Sequence, residues 1–167
     1  AETSRAFNTK NFQQVQIKWV DVATNYERRA DLVNGIYHTA KANESIDKGL
    51  LEELRTAGEE AKKHRLEPND LSAETVASFQ KMQQRLTVVI RKTTEAILAN
   101  KELSSNQNYL SLQMQMENIE NRINVSKQAY NAAVALYNKG QAANKAPKKD
   151  ISFKADAGAE NAPAVKF

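Results

Sequence analysis

Residues 109–137 read YLSLQMQMENIENRINVSKQAYNAAVALY, and this segment carries the most regular apolar pattern in the chain. Its recurring positions fall at steps of three and four: Tyr109, Leu112, Met116, Ile119, Ile123, Ser126, Tyr130, Val134 and Tyr137. Such steps place all of these side chains on one face of an α-helix. The segment predicts a helix over residues 107–139, and Gly140, directly after it, is expected to end that helix.

Three further segments repeat this spacing and predict helices over residues 8–42, 46–65 and 73–99. Asn43 and Ser45 favour a corner between the first two helices, because both residue types are weak helix formers and good N-caps. Without that corner, the first two segments would form one continuous helix. Pro68 ends the second segment, and Ser72 is expected to cap the third helix.

Long amphipathic helices bury their apolar faces against one another, and short connections make sequential helices antiparallel. The sequence therefore predicts an all-α protein, an elongated up-and-down antiparallel four-helix bundle over residues 1–140. A three-helix variant results if the first corner is not real. Residues 141–167 lose the periodicity and contain Pro147 and Pro163, so they are expected to form an extended C-terminal tail.

Composition narrows the classes of function. With 41% hydrophobic residues in 167, the chain can fill one core, and it has no cysteine for a disulfide or a thiolate site. The net charge of +4 comes from interleaved charges of both signs, which describes a mixed surface. No uncharged apolar run reaches 18 residues, so no segment is expected to span a bilayer.

Motifs for catalysis or metal binding are missing as well. The sequence has no phosphate-binding glycine loop, nucleophile elbow or His-Glu-x-x-His motif. A di-metal helical bundle needs Glu-x-x-His pairs, whereas Glu60 and His64 are four apart, and His38 stands alone. We therefore expect no catalytic residues, no cofactor and no metal. The basic runs at residues 62–65 and 145–149 lack interleaved aromatics, so nucleic-acid binding is not expected, and an anionic membrane suits the tail slightly better.

Two charged residues interrupt the apolar faces. Arg29 lies beside the seam of the first long helix, and Glu120 holds the corresponding position on the last helix. Aligning the helix midpoints brings these residues level, as it does Trp19 with Tyr130, so an interhelical salt bridge is predicted. Such a pair adds little net stability but penalises slipped alignments, and this structural role is favoured over a ligand or catalytic pair.

Several ordered motifs resemble those of the LemA family. They comprise Trp19-Val20, the segment Tyr26-Glu27-Arg28-Arg29-Ala30-Asp31-Leu32-Val33, the segment Asn106-Gln107-Asn108-Tyr109-Leu110-Ser111-Leu112, Glu120-Asn121-Arg122-Ile123, and the repeated Tyr130-Asn131 and Tyr137-Asn138. Residues 42–45 and Gly35 depart from the family pattern. The resemblance implies an α-helical bundle held at a bacterial membrane by an N-terminal segment, with no established enzyme activity.

These observations favour a membrane-tethered helical scaffold or interaction protein of the bacterial cell envelope, not an enzyme. Its anchor would be a removed N-terminal segment, its location the periplasmic or extracytoplasmic side, and its partner an unidentified protein. Tail residues Phe153, Val165 and Phe167 are candidates for contact with that partner, although folding back onto the bundle is an equal alternative. The alternative function is ligand binding or catalysis in an interhelical pocket near Arg29 and Glu120.

Self-association is a third possibility. Tyr109, Tyr130 and Tyr137, or a flat face of the bundle, could mediate a homo-oligomer.

Overall fold

The computed structural model describes residues 2–155, with side chains from residue 3 onward. It contains α1 (Glu2–Lys41), α2 (Lys48–Lys63), a 3-10 turn (Pro68–Asp70), α3 (Ala73–Leu98), α4 (Lys101–Ser104) and α5 (Gln107–Ala143). No β-strand occurs among these residues. The all-α class predicted from the sequence is therefore confirmed for the described part of the chain.

The two longest helices, α1 and α5, form an antiparallel pair along almost their whole lengths. Side chains meet at regular levels: Ser4 with Asn144 at one end, Trp19 with Tyr130 in the middle, and Thr39 with Asn108 at the other end. The Trp19 and Tyr130 ring centroids lie 5.3 Å apart, at the level expected from the helix midpoints. The apolar faces of the two helices thus meet in the register that their spacing predicted.

The corner after α1 is present, so α1 and α2 are separate helices. The N-cap of α2 is Asp47, whose carboxylate accepts a hydrogen bond from the Leu50 backbone N–H at 3.1 Å. Asn43 stays within the corner, where its side-chain oxygen accepts from the Ser45 backbone N–H at 2.9 Å. The chain then runs back along α1, as shown by the ion pair between Lys62 on α2 and Asp31 on α1.

Helix α3 begins as the sequence predicted, with Ser72 as its N-cap. Ser72 and Thr75 form a reciprocal capping box, each side chain accepting from the backbone N–H of the other. Helix α3 packs against α2, and its backbone stays farther from the backbone of α5. Arg29 and Phe153 of the C-terminal tail each contact both α3 and α5. The exact up-and-down four-helix arrangement stays a prediction.

The end of α5 differs from the expectation. The helix continues through Gly140 to Ala143 and has Asn144 as its C-cap, so the tail starts about one turn later than predicted. A Cβ atom at residue 140 would lie 2.0 Å from the side-chain amide of Asn8. Gly140 is therefore required for the close approach of α1 to α5, not for ending the helix.

Candidate functional site

Arg29 is the most buried charged side chain in the described core, with 2% of its surface exposed. Its Nη2 donates to the Gln83 carbonyl oxygen at 2.9 Å and to the Gln83 side-chain oxygen at 3.1 Å. Its Nη1 donates to Thr87 Oγ1 at 2.8 Å and to Glu120 Oε1 at 3.2 Å. The guanidinium thus joins α1 to α3 and α5 at one level.

Two other features complete the surroundings of this guanidinium. The Arg29 Cζ atom lies 5.0 Å from the centre of the Tyr26 ring, within the range of a cation–π contact. The Nε atom of Arg29 is buried without a hydrogen-bond partner in the described structure. Glu120 keeps 27% of its side chain exposed, so water still solvates part of the carboxylate. The two residues predicted to pair are thus brought together, with unequal burial.

The level of Arg29 and Glu120 has almost no free volume. The space bounded there by Tyr26, Thr87, Ile123 and the two charged residues is about 10 Å³, room for no more than about one water. A drug-sized ligand needs a pocket of roughly 300 Å³ or more. This closed site gives no support to the ligand-binding or enzymatic alternative. The arrangement instead holds three helices in one register.

Three side-chain amides hold the tail segment 149–154. Each amide donates a hydrogen bond to the backbone carbonyl of one tail residue and accepts a hydrogen bond from the backbone N–H of the same residue. Asn138 bonds both polar backbone groups of Lys149, and Asn131 does the same for Phe153. Gln80, on α3, bonds both groups of Lys154, at 2.7 and 3.0 Å. These three amides, which we call the tail clamps, satisfy a backbone that has no secondary structure of its own.

Phe153 lies in the interior between α1, α3 and α5. Its ring stacks on Trp19 with centroids 5.8 Å apart and planes 14° apart, and it also contacts Phe79 and Tyr130. The Tyr130 hydroxyl donates to the Ile151 carbonyl oxygen at 2.7 Å. Of the three tail residues considered for partner contact, Phe153 is therefore buried in the core, while Val165 and Phe167 lie outside the described residues.

The three tyrosines considered for self-association are also buried. Tyr109, Tyr130 and Tyr137 face the interior, so their rings do not form a surface that a second copy could contact. Burial raises the pKa of Tyr109 to about 12 and raises the pKa of Tyr130 and Tyr137 above the ordinary value, because a buried phenolate loses its hydration. All three stay neutral phenols at physiological pH.

Both histidines lie on the surface, each at the end of a helix. His38 falls in the last turn of α1, and His64 is the C-cap residue of α2. Among residues 2–155, no group of three or more histidine or carboxylate side chains is placed to hold a metal ion.

The largest concave feature we describe is an open groove between α2 and α3, with a volume of about 800 Å³. Its α2 wall carries Glu52, Glu53 and Glu60. Its α3 wall carries the cations Lys81, Arg85 and Lys92, and Ala57, Val88 and Val89 supply apolar surface. We call this feature the α2–α3 groove. It is open to solvent and holds charges of both signs.

Sequence reasoning found Arg29 and Glu120 but missed most of their partners. Gln83 is buried on the apolar face of α3. A polar residue at such a position indicates a buried hydrogen-bond partner, and the sequence alone could have suggested it. The tail clamps Asn131 and Asn138 each follow a buried tyrosine, seven residues apart. The repeated Tyr-Asn pairs were visible in the sequence, but their target on the tail was not.

Together these features define the class of protein. It is an all-helical protein in which buried polar side chains connect the helices and the tail by hydrogen bonds. The chain belongs to the LemA family, whose family model matches residues 18–167. Membership suggests a membrane-associated bacterial protein without a known enzymatic role. No curated protein matches the chain. None of the helices within residues 2–155 combines the length and apolar character needed to cross a bilayer.

Proposed function

We propose that the protein is a membrane-tethered helical scaffold of the bacterial cell envelope that presents its bundle surface to a protein partner on the extracytoplasmic side. The observation that carries this proposal is that the buried polar groups form hydrogen bonds within the chain itself. Arg29, Glu120 and the tail clamps all bond to other parts of the same chain, and the space at Arg29 is too small for a ligand. Family membership supports the association with a membrane.

The α2–α3 groove is the surface we propose for this partner. Carboxylates on one wall and cations on the other suit a protein segment that carries both signs, while for nucleic acid or an anionic lipid the acidic wall offsets the attraction of the cationic wall. Val88 and Val89 are only partly buried, so a bound segment would cover apolar surface there.

Photocrosslinking of the full-length, anchored protein in its native membrane tests the proposal. A photoreactive amino acid replaces Gln84, in the groove, or Gln128, an exposed residue of α5, as the matched control. We expect one abundant crosslinked protein from the Gln84 position and a much weaker product from the Gln128 position. Equal products from both positions, or recovery of lipid alone, would contradict the proposed groove.

The side of the membrane can be tested separately because the chain has no cysteine. A single cysteine in place of the exposed Thr56 gives a unique label site in the groove. An impermeant maleimide should label this residue in intact spheroplasts as fully as in lysed ones. Labelling that requires lysis would place the groove in the cytoplasm and exclude the extracytoplasmic location.

A further inference from the structure

The amino-terminal part of α1 and the carboxy-terminal part of α5 extend beyond the rest of the bundle. Gln16 is level with the 3-10 turn, to which it donates hydrogen bonds, and α2 and α3 meet at that turn. Residues 3–14 make their described hydrogen bonds and ring contacts with one another, with α5 and with Lys149. We call residues 3–14, 135–143 and 144–149 the arm, which is roughly 18 Å long on α1 at about 1.5 Å per residue.

Charge is divided very unevenly between the arm and the body. The arm sequence contains six cations and no carboxylate: Arg5, Lys10, Lys139, Lys145, Lys148 and Lys149. Residues 15–134, which form the body, contain 16 cationic and 16 acidic side chains and are therefore neutral. Counted over residues 3–155, the excess positive charge therefore lies on the arm, at one end of the fold.

None of the six arm cations forms an ion pair within the described structure. Lys149 has its ammonium 4.3 Å from the centre of the Phe12 ring, and the other five lie on the exposed surface. Six like charges on one arm repel one another and do not stabilise the fold. A partner with negative charge would remove that repulsion, so the arm is suited to binding an anionic surface.

An apolar side chain lies among these cations. Phe7 is on the arm with 63% of its surface exposed, whereas Phe12 and Tyr137 are packed against each other, with ring centroids 5.0 Å apart. One exposed phenylalanine on a basic arm matches an interfacial membrane contact, in which the ring enters the headgroup layer and the cations meet phosphates. Binding of single-stranded nucleic acid relies on a series of exposed stacking rings, and the described arm presents only this one.

We propose that the arm binds the surface of an anionic lipid bilayer, with Phe7 at the interface and the six cations on lipid phosphates. This inference rests on the proposed membrane location and adds which end of the protein faces the bilayer. The bundle then stands away from the membrane, with the α2–α3 groove at a distance from the lipid. The contact is independent of any anchor segment, because it uses only residues of the folded chain.

The test is binding of the 167-residue chain to vesicles of phosphatidylcholine, with and without about one third phosphatidylglycerol. The chain should sediment with the anionic vesicles and not with the neutral ones, and added salt should weaken the binding. One triple variant, R5Q/K139Q/K148Q, removes three arm cations. The matched control, K41Q/K48Q/K101Q, removes three exposed cations from the body, none of which lines the α2–α3 groove, and leaves the same net charge.

Each basic residue near an anionic surface raises the partition coefficient about fivefold, so the arm variant should lose affinity by a factor on the order of 100. The control should stay within about twofold to threefold of the parent chain. Circular dichroism of both variants verifies folding, and Phe7→Ser should weaken binding without changing the helical content.

Three outcomes would overturn the proposal: equal binding to neutral and anionic vesicles, equal losses in the two triple variants, or a clear preference of the arm for a single-stranded oligonucleotide over anionic vesicles. The proposed scaffold function would survive each of them, because the crosslink at the groove is measured in the anchored protein. Conversely, failure of that crosslink leaves the vesicle result unchanged.

Discussion

Arg29 on α1 and Gln83 on α3 are joined by two hydrogen bonds from a single nitrogen, which reaches both the backbone and the side-chain oxygen of Gln83 at 2.9 and 3.1 Å. A backbone carbonyl inside a helix normally bonds only within that helix. Here it also anchors a neighbouring helix through a charged donor, and charge-assisted bonds are stronger than neutral ones. Because the same guanidinium also donates to Glu120 on α5, this contact links α3 to α5 through a side chain of α1.

Removal of the guanidinium should therefore destabilise the fold strongly. We expect Arg29→Ala to lower the free energy of unfolding by roughly 3 kcal/mol or more, because it opens a cavity and leaves the buried acceptors of Gln83 without their charged donor. Glu120→Gln should cost less, about 1–2 kcal/mol, because glutamine still offers an acceptor to a guanidinium that keeps its bonds to Gln83 and Thr87. Urea denaturation of both variants measures the difference. Equal losses would mean that the ion pair, and not the bonds to α3, provides the stability.

Gly140 should behave contrary to the usual helix propensity. A Gly→Ala change inside a helix normally stabilises by about 1 kcal/mol, but Gly140→Ala places a Cβ atom 2.0 Å from the side-chain amide of Asn8 and should destabilise the protein. Adding Asn8→Ala to this variant should recover much of the loss. Gly49→Ala, which meets its nearest neighbour at 3.4 Å, is the control and should be neutral or stabilising. Thermal unfolding of the four proteins provides the measurement, and a stable single Gly140→Ala variant would contradict the close approach.

The docked tail predicts a stability cost when its anchor is removed. Phe153→Ala should lower the free energy of unfolding by about 3 kcal/mol or more, as for other buried phenylalanines. The chain has one tryptophan, and Phe153 stacks on it, so the same change should also shift the fluorescence of Trp19. Asn131→Ala should loosen the tail with the Phe153 side chain intact. Unchanged stability and fluorescence in both variants would show that the tail is not docked in solution.

Buried tyrosines make stability depend on alkaline pH. The folded-state pKa of Tyr109 is about 12 and lies above its unfolded value near 10, so the folded state holds the proton over that window. Its stabilisation is complete below pH 10 and is lost as the pH rises towards 12, with a slope of up to about 1.4 kcal/mol per pH unit. Tyr109→Phe should flatten the decline in stability measured by urea unfolding at a series of pH values. An unaltered slope in this variant would assign the decline to other groups.

Local pattern was sufficient for most of the helices and their caps. The apolar steps of three and four identified the four long helices, Ser72 was correctly expected as a cap, and matching helix midpoints brought Arg29 level with Glu120. These features depend on residues close in sequence, or on two long helices lying side by side, and a periodic pattern contains that information. The prediction for Gly140 was wrong because a glycine that follows a periodic apolar pattern can have either of two roles. It can end the helix, or it can allow a second helix to approach closely, and the sequence pattern is the same in both cases.

The partners of Arg29 on α3, the docking of Phe153 and the concentration of charge on the arm depend on which distant segments meet, and this was settled only by the tertiary structure. A buried guanidinium must find acceptors wherever the packing places them, and the Tyr-Asn pairs bind tail backbone that could not be located by spacing alone. The arm cations come from the first and last parts of the chain, and antiparallel packing of α1 and α5 brings them to one end. The sequence by itself therefore determined the helices and the pairing of Arg29 with Glu120. Long-range packing decided which residues of α3 bond to Arg29 and brought the six arm cations to one end of the fold.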